Sequence, residues 1–301
     1  MAAQVLDSKA ALRQPGTPAT LPPEYAEGDY VELAGLSTPR TSTESLPAYD
    51  EAVSLQPSSA AAAACFRPTH TYQVESEGHP LLALPLAPRP SPIGVFAVRP
   101  DGSLGPLAYQ SLRHARCSGD SVLVRADDPL ALAPLCSTTY RFGPGRPPRI
   151  QLHGELARGC EAFEVTGEGV CTRAHTVRTH LGTLRWRYAG RRETRAAGAS
   201  SLLVMERVTS VATPGGGTAE RRRRVAQLVR SEALRTPGTT RATAGNGGRL
   251  LMDLGEWAGG KAEERAAEVL VLSSCLVMLK KEIDRRRAAQ FMVLAGAAGG
   301  P

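Results

Sequence analysis

Between Ala266 and Leu279 the chain reads AAEVLVLSSCLVML, and no helical spacing of these residues leaves a polar face. Val269, Leu270, Val271, Leu272, Cys275, Leu276, Val277, Met278 and Leu279 distribute around the whole circumference, so a helix here must be enclosed. Gly259 and Gly260 break the chain before it. Glu263 and Glu264 stand in its first turn, and Lys280, Lys281, Arg285, Arg286 and Arg287 follow, the charge order a helix dipole favours. With Gly296 as a stop, the pattern predicts a helix over about residues 262–291 and a flexible tail over 296–301. Val269, Leu272, Cys275, Leu276 and Leu279 belong to its buried core. A bilayer span needs about 20 apolar residues. This stretch has roughly 14 and includes Glu268, Ser273 and Ser274, so protein is expected to surround it and no transmembrane segment is expected.

From His70 onward the rest of the chain has the texture of strands. Ile93–Val98, the turn Pro100-Asp101-Gly102 and Leu107–Leu112 form a hairpin pattern. Ser121–Val124, Thr138–Phe142, Ile150–Leu152 and Phe163–Val165 are short apolar stretches between turn signals. The Gly143-Pro144-Gly145-Arg146-Pro147-Pro148 segment excludes a central strand. The clearest alternation is Leu184-Arg185-Trp186-Arg187-Tyr188, with the apolar residues on one face and two arginines on the other. Leu202–Val208, Arg224–Val229 and Arg249–Leu254 complete the series, divided by Gly215-Gly216-Gly217, Pro237-Gly238 and Asn246-Gly247-Gly248. Many strands and one fully apolar helix are reconciled if the sheet closes around the helix. The expected fold is mainly β: a closed antiparallel barrel over residues 69–295 enclosing the C-terminal helix.

Residues 1–68 have a different composition. They are rich in Pro, Ser and Thr, include the alanine run Ala60–Ala64, and bury too little apolar surface to offset their ordering entropy, which predicts a disordered arm. Leu21-Pro22-Pro23-Glu24-Tyr25 is a PPxY sequence, and Leu46-Pro47-Ala48-Tyr49 is an LPxY relative. Both suit WW domains, because proline holds the chain in polyproline II and a tyrosine at fixed spacing fills a second groove. The WW-binding residues are thus Pro22, Pro23, Tyr25, Leu46, Pro47 and Tyr49, and two sites can act by avidity. An ordinary flexible linker is the alternative.

Charge divides at the same boundary. Residues 1–68 carry 4 basic and 8 acidic residues, and residues 69–301 carry 32 basic and 21 acidic ones, within a chain of formal net charge +7. A basic folded part favours anionic partners such as phospholipid headgroups or nucleic acid, or serves solubility alone. Aromatic residues do not interleave with the basic runs, which speaks against nucleic acid. The cysteines Cys65, Cys117, Cys136, Cys160, Cys171 and Cys275 form no CxxC pair. With no secretory apolar segment after Met1 they read as the thiols of an intracellular, cytoplasmic protein.

The run Ser137–Pro148, then Trp186-Arg187-Tyr188, Gly247-Gly248-Arg249-Leu250 and Ser274–Lys281 resembles an uncharacterised protein family of filamentous fungi, over about residues 70–295. More distantly, the layout is similar to the tubby-like barrels: the tubby C-terminal domain, the LURP-one-related proteins and the phospholipid scramblases. That resemblance implies a closed barrel around a hydrophobic helix, and phosphoinositide binding through basic side chains. It also implies a Pro-rich arm of the scramblase kind, although no scramblase-type calcium loop or acylated cysteine cluster occurs here.

No catalytic set converges in the sequence. GxSxG, P-loop, dinucleotide and HExxH patterns are absent, and Cys171, His175 and His180 fit no familiar zinc spacing, so neither an enzyme nor a metal or other cofactor is expected. The candidate anion- and lipid-binding residues are Arg141, Arg146 and Arg149 around the Pro-Gly loop, and Arg185, Arg187, Arg191 and Arg192, with Arg221–Arg224 as a further run. Lys280–Arg287 are expected at the barrel mouth, fixing the depth of the helix, and Phe291–Leu294 are expected to pack on the barrel. These readings add up to an adaptor whose arm recruits a WW-domain protein, for instance a HECT-type ubiquitin ligase, and whose barrel contacts anionic membrane as a peripheral protein. A lipid-binding or lipid-handling protein with the arm as tether, and a purely structural interaction barrel, remain the alternatives, and the oligomeric state is open.

Overall fold

A computed structural model describes residues 66–80, 90–114, 118–128, 130–141, 146–159, 161–169, 172–212 and 217–298, excluding the side chains of 294–298. The WW-ligand residues Pro22, Pro23, Tyr25, Leu46, Pro47 and Tyr49 lie outside the described residues, as do Cys65, Cys117, Cys160 and Cys171.

Twelve antiparallel strands close into a barrel. They are β1 (His70–His79), β2 (Ile93–Val98), β3 (Leu104–Leu112), β4 (Ser121–Arg125), β5 (Cys136–Thr139) and β6 (Arg149–Leu152). The second half consists of β7 (Ala162–Gly167), β8 (His175–Thr179), β9 (Gly182–Tyr188), β10 (Ser201–Ala212), β11 (Thr218–Arg230) and β12 (Ala244–Met252). Each strand pairs with its sequence neighbour, and β1 closes the ring against β12 from His70↔Met252 to His79↔Ala244. A short helix α1 (Arg191–Ala196) joins β9 to β10, and the 38-residue helix α2 (Lys261–Ala298) runs through the barrel.

Strand alternation supplies the lumen. Val74, Val95, Ile150, Val165, Leu184, Trp186, Leu228 and Leu250 point inward and are buried against α2. The expected core residues of the helix behave as such: Val269 and Cys275 are 0% exposed, Leu272 and Leu279 1%, and Leu276 9%. Its few polar atoms are matched by inward polar groups of the wall. Tyr72 and Tyr109 both donate their hydroxyls to Glu268 Oε1, Tyr109 at 2.8 Å. Burial, then the Glu268 charge, pushes both phenols well above their ordinary pKa, which keeps them as donors. Ser274 Oγ donates to Leu270 O at 2.6 Å and accepts from Trp186 Nε1 at 2.9 Å. Ser273 Oγ donates to Val269 O at 2.7 Å and lies 2.8 Å from Cys136 Sγ. Burial drives the Cys136 thiol up to about 11 and that of Cys275 up to about 12, so both remain neutral packing groups.

The structure departs from the sequence expectations in several places besides the unexpected α1 and β8. Asn246-Gly247-Gly248 is not a turn but the buried first half of β12. A Cβ on Gly247 would stand 1.9 Å from Val74 O, and one on Gly245, at φ +69°, 2.6 Å from Leu279 O. The glycines are there because β1 and α2 press on this strand. β10 and β11 extend beyond Leu202–Val208 and Arg224–Val229 into an exposed two-stranded ribbon whose charged residues show no apolar alternation. α2 passes Gly296 and ends at Ala298, so no flexible tail begins there. Finally, Phe291, Met292 and Val293 do not pack on the barrel: they are 72%, 76% and 72% exposed. The helix has left the lumen by then, and of the three only Phe291 borders, among the described residues, a shallow depression beside Gly119 and Tyr140.

That change of surroundings along one helix is measurable. Leu272→Ala should cost about 2–5 kcal/mol in urea unfolding with an unchanged denaturant slope, whereas Phe291→Ala should stay within about 0.5 kcal/mol of the parent chain. Equal losses at the two positions would contradict the placement of α2.

Candidate anion site at the barrel mouth

Connections in an antiparallel barrel alternate between its two ends. α2 enters at the end that carries the β2–β3, β4–β5 and β6–β7 connections, where Asp101, Asp127, Asp128, Glu155, Glu161 and Glu256 collect. It leaves at the other end, among the β5–β6, β7–β8, β9–β10 and β11–β12 connections, which carry Arg141, Arg146, Arg173, Arg191, Arg192 and Arg241. Basic residues outnumber acids at the exit mouth, whereas the carboxylates of the entry mouth share it with Arg99, Arg158, Lys261 and Arg265.

At the exit mouth the helix is tied to the wall a second time. Tyr140 donates to Asp284 Oδ2 at 2.5 Å, and Lys280 pairs with the same carboxylate while its ammonium lies 4.9 Å from the Tyr140 ring centre. Glu282 accepts from Tyr188 Oη at 2.6 Å, from Arg230 Nη1 at 3.0 Å and from Gly245 N at 2.9 Å. Burial works against the Glu282 charge, but Arg230 and these hydrogen bonds hold its carboxyl below the usual value. The expected role of Lys280–Arg287 in setting helix depth thus falls to Lys280 and the intervening acids.

Beside these ties lies a cavity of about 390 Å³ lined by Arg173, Tyr188, Arg230, Arg241, Arg285 and Arg286, with Ser200, Ser201, Thr243 and Asn246. The one acid among the described residues that line it, Glu282, is already engaged by Arg230. The guanidinium carbons of Arg285 and Arg173 stand 5.5 and 5.9 Å from the centre of the Tyr188 ring, and Arg285 Nη2 donates to the Tyr188 hydroxyl at 2.8 Å. Arg230 Nε and Arg286 Nη1 are buried and have no acceptor among the described residues. A second depression of about 580 Å³ shares Tyr188, Ser200, Ser201 and Arg241 and adds Arg191 and Arg195. Such a surplus of fixed N–H donors suits a multiply charged oxyanion.

His175 reports the same field. Its ring is buried at the mouth end of β8, with Nδ1 3.1 Å from Arg173 O. Burial, then the Lys281 charge, with a further contribution from Arg285, brings its pKa down to about 4. His180 sits past the far end of β8 against the Phe163 ring, so the two histidines occupy opposite ends of one strand.

The candidate arginines of the sequence separate into three groups. Arg141, Arg146, Arg191 and Arg192 reach the exit mouth, are exposed and have no ion-pair partner among the described residues. Arg149, Arg185 and Arg187 are occupied. Arg149 pairs with Glu164 at 2.9 Å, Arg185 clasps Glu168 at 2.6 and 2.7 Å, and Arg187 bridges Glu206 at 2.6 Å and Glu193 at 2.8 Å. The basic outer face expected of β9 is therefore neutralised by carboxylates of β10, α1 and the β7–β8 connection. Of the run Arg221–Arg224, the first three lie on the ribbon, where the β10–β11 connection belongs to the opposite end, and Arg224 is buried and paired with Glu193. Arg173, Arg241, Arg285 and Arg286 converge only in the fold. The last two were visible as part of a helix collar, and no local pattern singled out the first two.

Comparison with family models, with curated proteins and with solved structures yields no match for this chain. Among the described residues no helix is long and apolar enough to cross a membrane, and no cluster of His, Cys, Asp and Glu has metal-binding geometry.

A neutral buried imidazole carries a pH signature. With the folded pKa at about 4 against 6.5 unfolded, the unfolded chain binds the extra proton first. The contribution is therefore whole above pH 6.5 and is lost as pH falls toward 4, at a slope of no more than about 1.4 kcal/mol per pH unit. Stability of His175→Gln should be flatter over that window in urea titrations. An identical pH dependence in the variant would show that the ring is not held neutral.

Proposed function

We propose that the chain is a non-enzymatic adaptor: the exit mouth of the barrel engages the phosphorylated headgroups of anionic phospholipids, phosphoinositides in particular, and the arm carries the WW-domain ligands. The chain would then act as a peripheral protein on the cytoplasmic face of a membrane. The observation that carries the lipid half is the convergence of Arg173, Arg241, Arg285 and Arg286 on one cavity in which the one carboxylate among the described lining residues, that of Glu282, is already taken. Phosphate oxygens accept from guanidiniums bidentately and with full charge, and Arg286 Nη1 has no acceptor among the described residues. The resemblance to tubby-like barrels points the same way. The WW half rests on Pro22, Pro23, Tyr25, Leu46, Pro47 and Tyr49 as sequence alone.

Full-length protein should co-sediment with vesicles containing phosphatidylinositol bisphosphate and not with neutral vesicles, and binding should weaken with salt. Each basic residue near such a surface contributes on the order of 1 kcal/mol, so Arg173→Ala with Arg241→Ala should lower affinity about 30-fold. Arg185→Ala should leave the lipid dependence unchanged, since Glu168 already occupies that side chain. Lipid binding that ignores Arg173 and Arg241 would sink the assignment of the mouth.

For the arm, Tyr25→Ala with Tyr49→Ala should abolish binding to a panel of WW domains. If the double variant binds as well as the parent, the arm is only a tether and the lipid-binding reading stands alone.

A further inference from the structure

We infer that the outer end of α2, Ala288–Ala298, is an interfacial membrane anchor that enters an anionic bilayer while the arginines at its base hold the headgroups; this rests on the headgroup reading above. Past Arg287 the helix carries no charged residue. At ~1.5 Å per residue these eleven positions project about 16 Å, roughly half of a ~30 Å hydrocarbon core, which suits entry into one leaflet and not a crossing.

The exposed groups also say which medium fits. Phe291, Met292 and Val293 are 72%, 76% and 72% exposed. Consecutive residues are turned by about 100° on a helix, so these three cover most of its circumference. A second protein chain would cover one side and leave the others wet. An apolar fluid covers all of them. Charge completes the match. Arg285, Arg286 and Arg287 form the turn immediately before the apolar segment, and Arg241 and Arg173 line the adjacent cavity, at the depth where phosphates would lie when the tip is immersed. The helix is held against withdrawal by Glu282 on Arg230 and Gly245, and by Asp284 on Tyr140, so the tip is presented rigidly and needs no folding on contact.

The test uses full-length Phe291→Trp with vesicles of phosphatidylcholine and phosphatidylinositol bisphosphate, with and without brominated acyl chains. Native Trp186 and Trp257 are buried, at 0% and 5% exposure, and give a constant background. The expected result is a blue shift on vesicle addition and quenching by the brominated chains. A triple variant, Phe291→Gln, Met292→Gln and Val293→Gln, should bind the same vesicles about tenfold more weakly and bind soluble inositol trisphosphate as the parent does. Full vesicle binding by the triple variant, with no quenching at position 291, would overturn the anchor and leave the headgroup pocket standing. Vesicle binding that is lost in the triple variant although the parent shows no affinity for inositol trisphosphate would keep the anchor and overturn the pocket. A blue shift that grows with protein concentration in the absence of vesicles would assign the tip to a contact between copies and overturn the anchor.

Discussion

The structure depends on a helix that has no side to show to water. Fourteen consecutive residues of α2 are buried on every face, from Ala266 to Leu279, and only a wall that closes on itself can surround them. Closure alone would leave the helix free to slide and rotate, because apolar contacts are nearly indifferent to small displacements along an axis. Polar atoms remove that freedom. Glu268 finds two phenols at one depth, Ser273 and Ser274 find Cys136 and Trp186 at the next, and Glu282 and Asp284 find Arg230 and Tyr140 at the mouth. Each pair is satisfied at one register only, and a buried polar group without its partner is penalised by roughly 1–3 kcal/mol. The depth of the helix, and with it the position of the basic collar and the tip, follows from this ladder.

The barrel and its central helix were legible because they rest on local periodicities. An apolar run without a polar face and strands such as Leu184–Tyr188 announce themselves within a few residues. The failures have one cause, which is that the deciding neighbour is far along the chain. Asn246-Gly247-Gly248 has the composition of a turn, and only the approach of Val74 and Val229 from the neighbouring strands makes it a strand. α1 went unnoticed because five of its six residues are polar; it lies beside the outward cluster of Leu202, Val204 and Val229, among whose neighbours are Ala197 and Ala199. The outer ribbon of β10 and β11 is held by backbone pairing, which leaves no trace in side-chain pattern.

The candidate site was half legible. Clusters of arginine are easy to find, but their partners decide whether they are free, and partners are a property of the fold. Arg185 and Arg187 gave the strongest pattern and turned out to be staples of the wall, their charge consumed by Glu168, Glu193 and Glu206. Arg173 and Arg241 are isolated in sequence and meet only because the β7–β8 and β11–β12 connections share one end of the barrel.

The outer ribbon has a further consequence. β11 pairs with β12 only over Ala226–Val229, so among the described residues the stretch Thr218–Arg224 presents unclaimed backbone N–H and C=O groups along one side. Thr209–Ala212 of β10 is likewise unpaired on its β9 side, so the ribbon offers two edges where another copy could add a strand. Arg221, Arg222 and Arg223 stand along the β11 edge, and two such ribbons brought edge to edge would set rows of guanidinium groups against each other. Like charges set so close oppose the propagation of this edge into a continuous sheet.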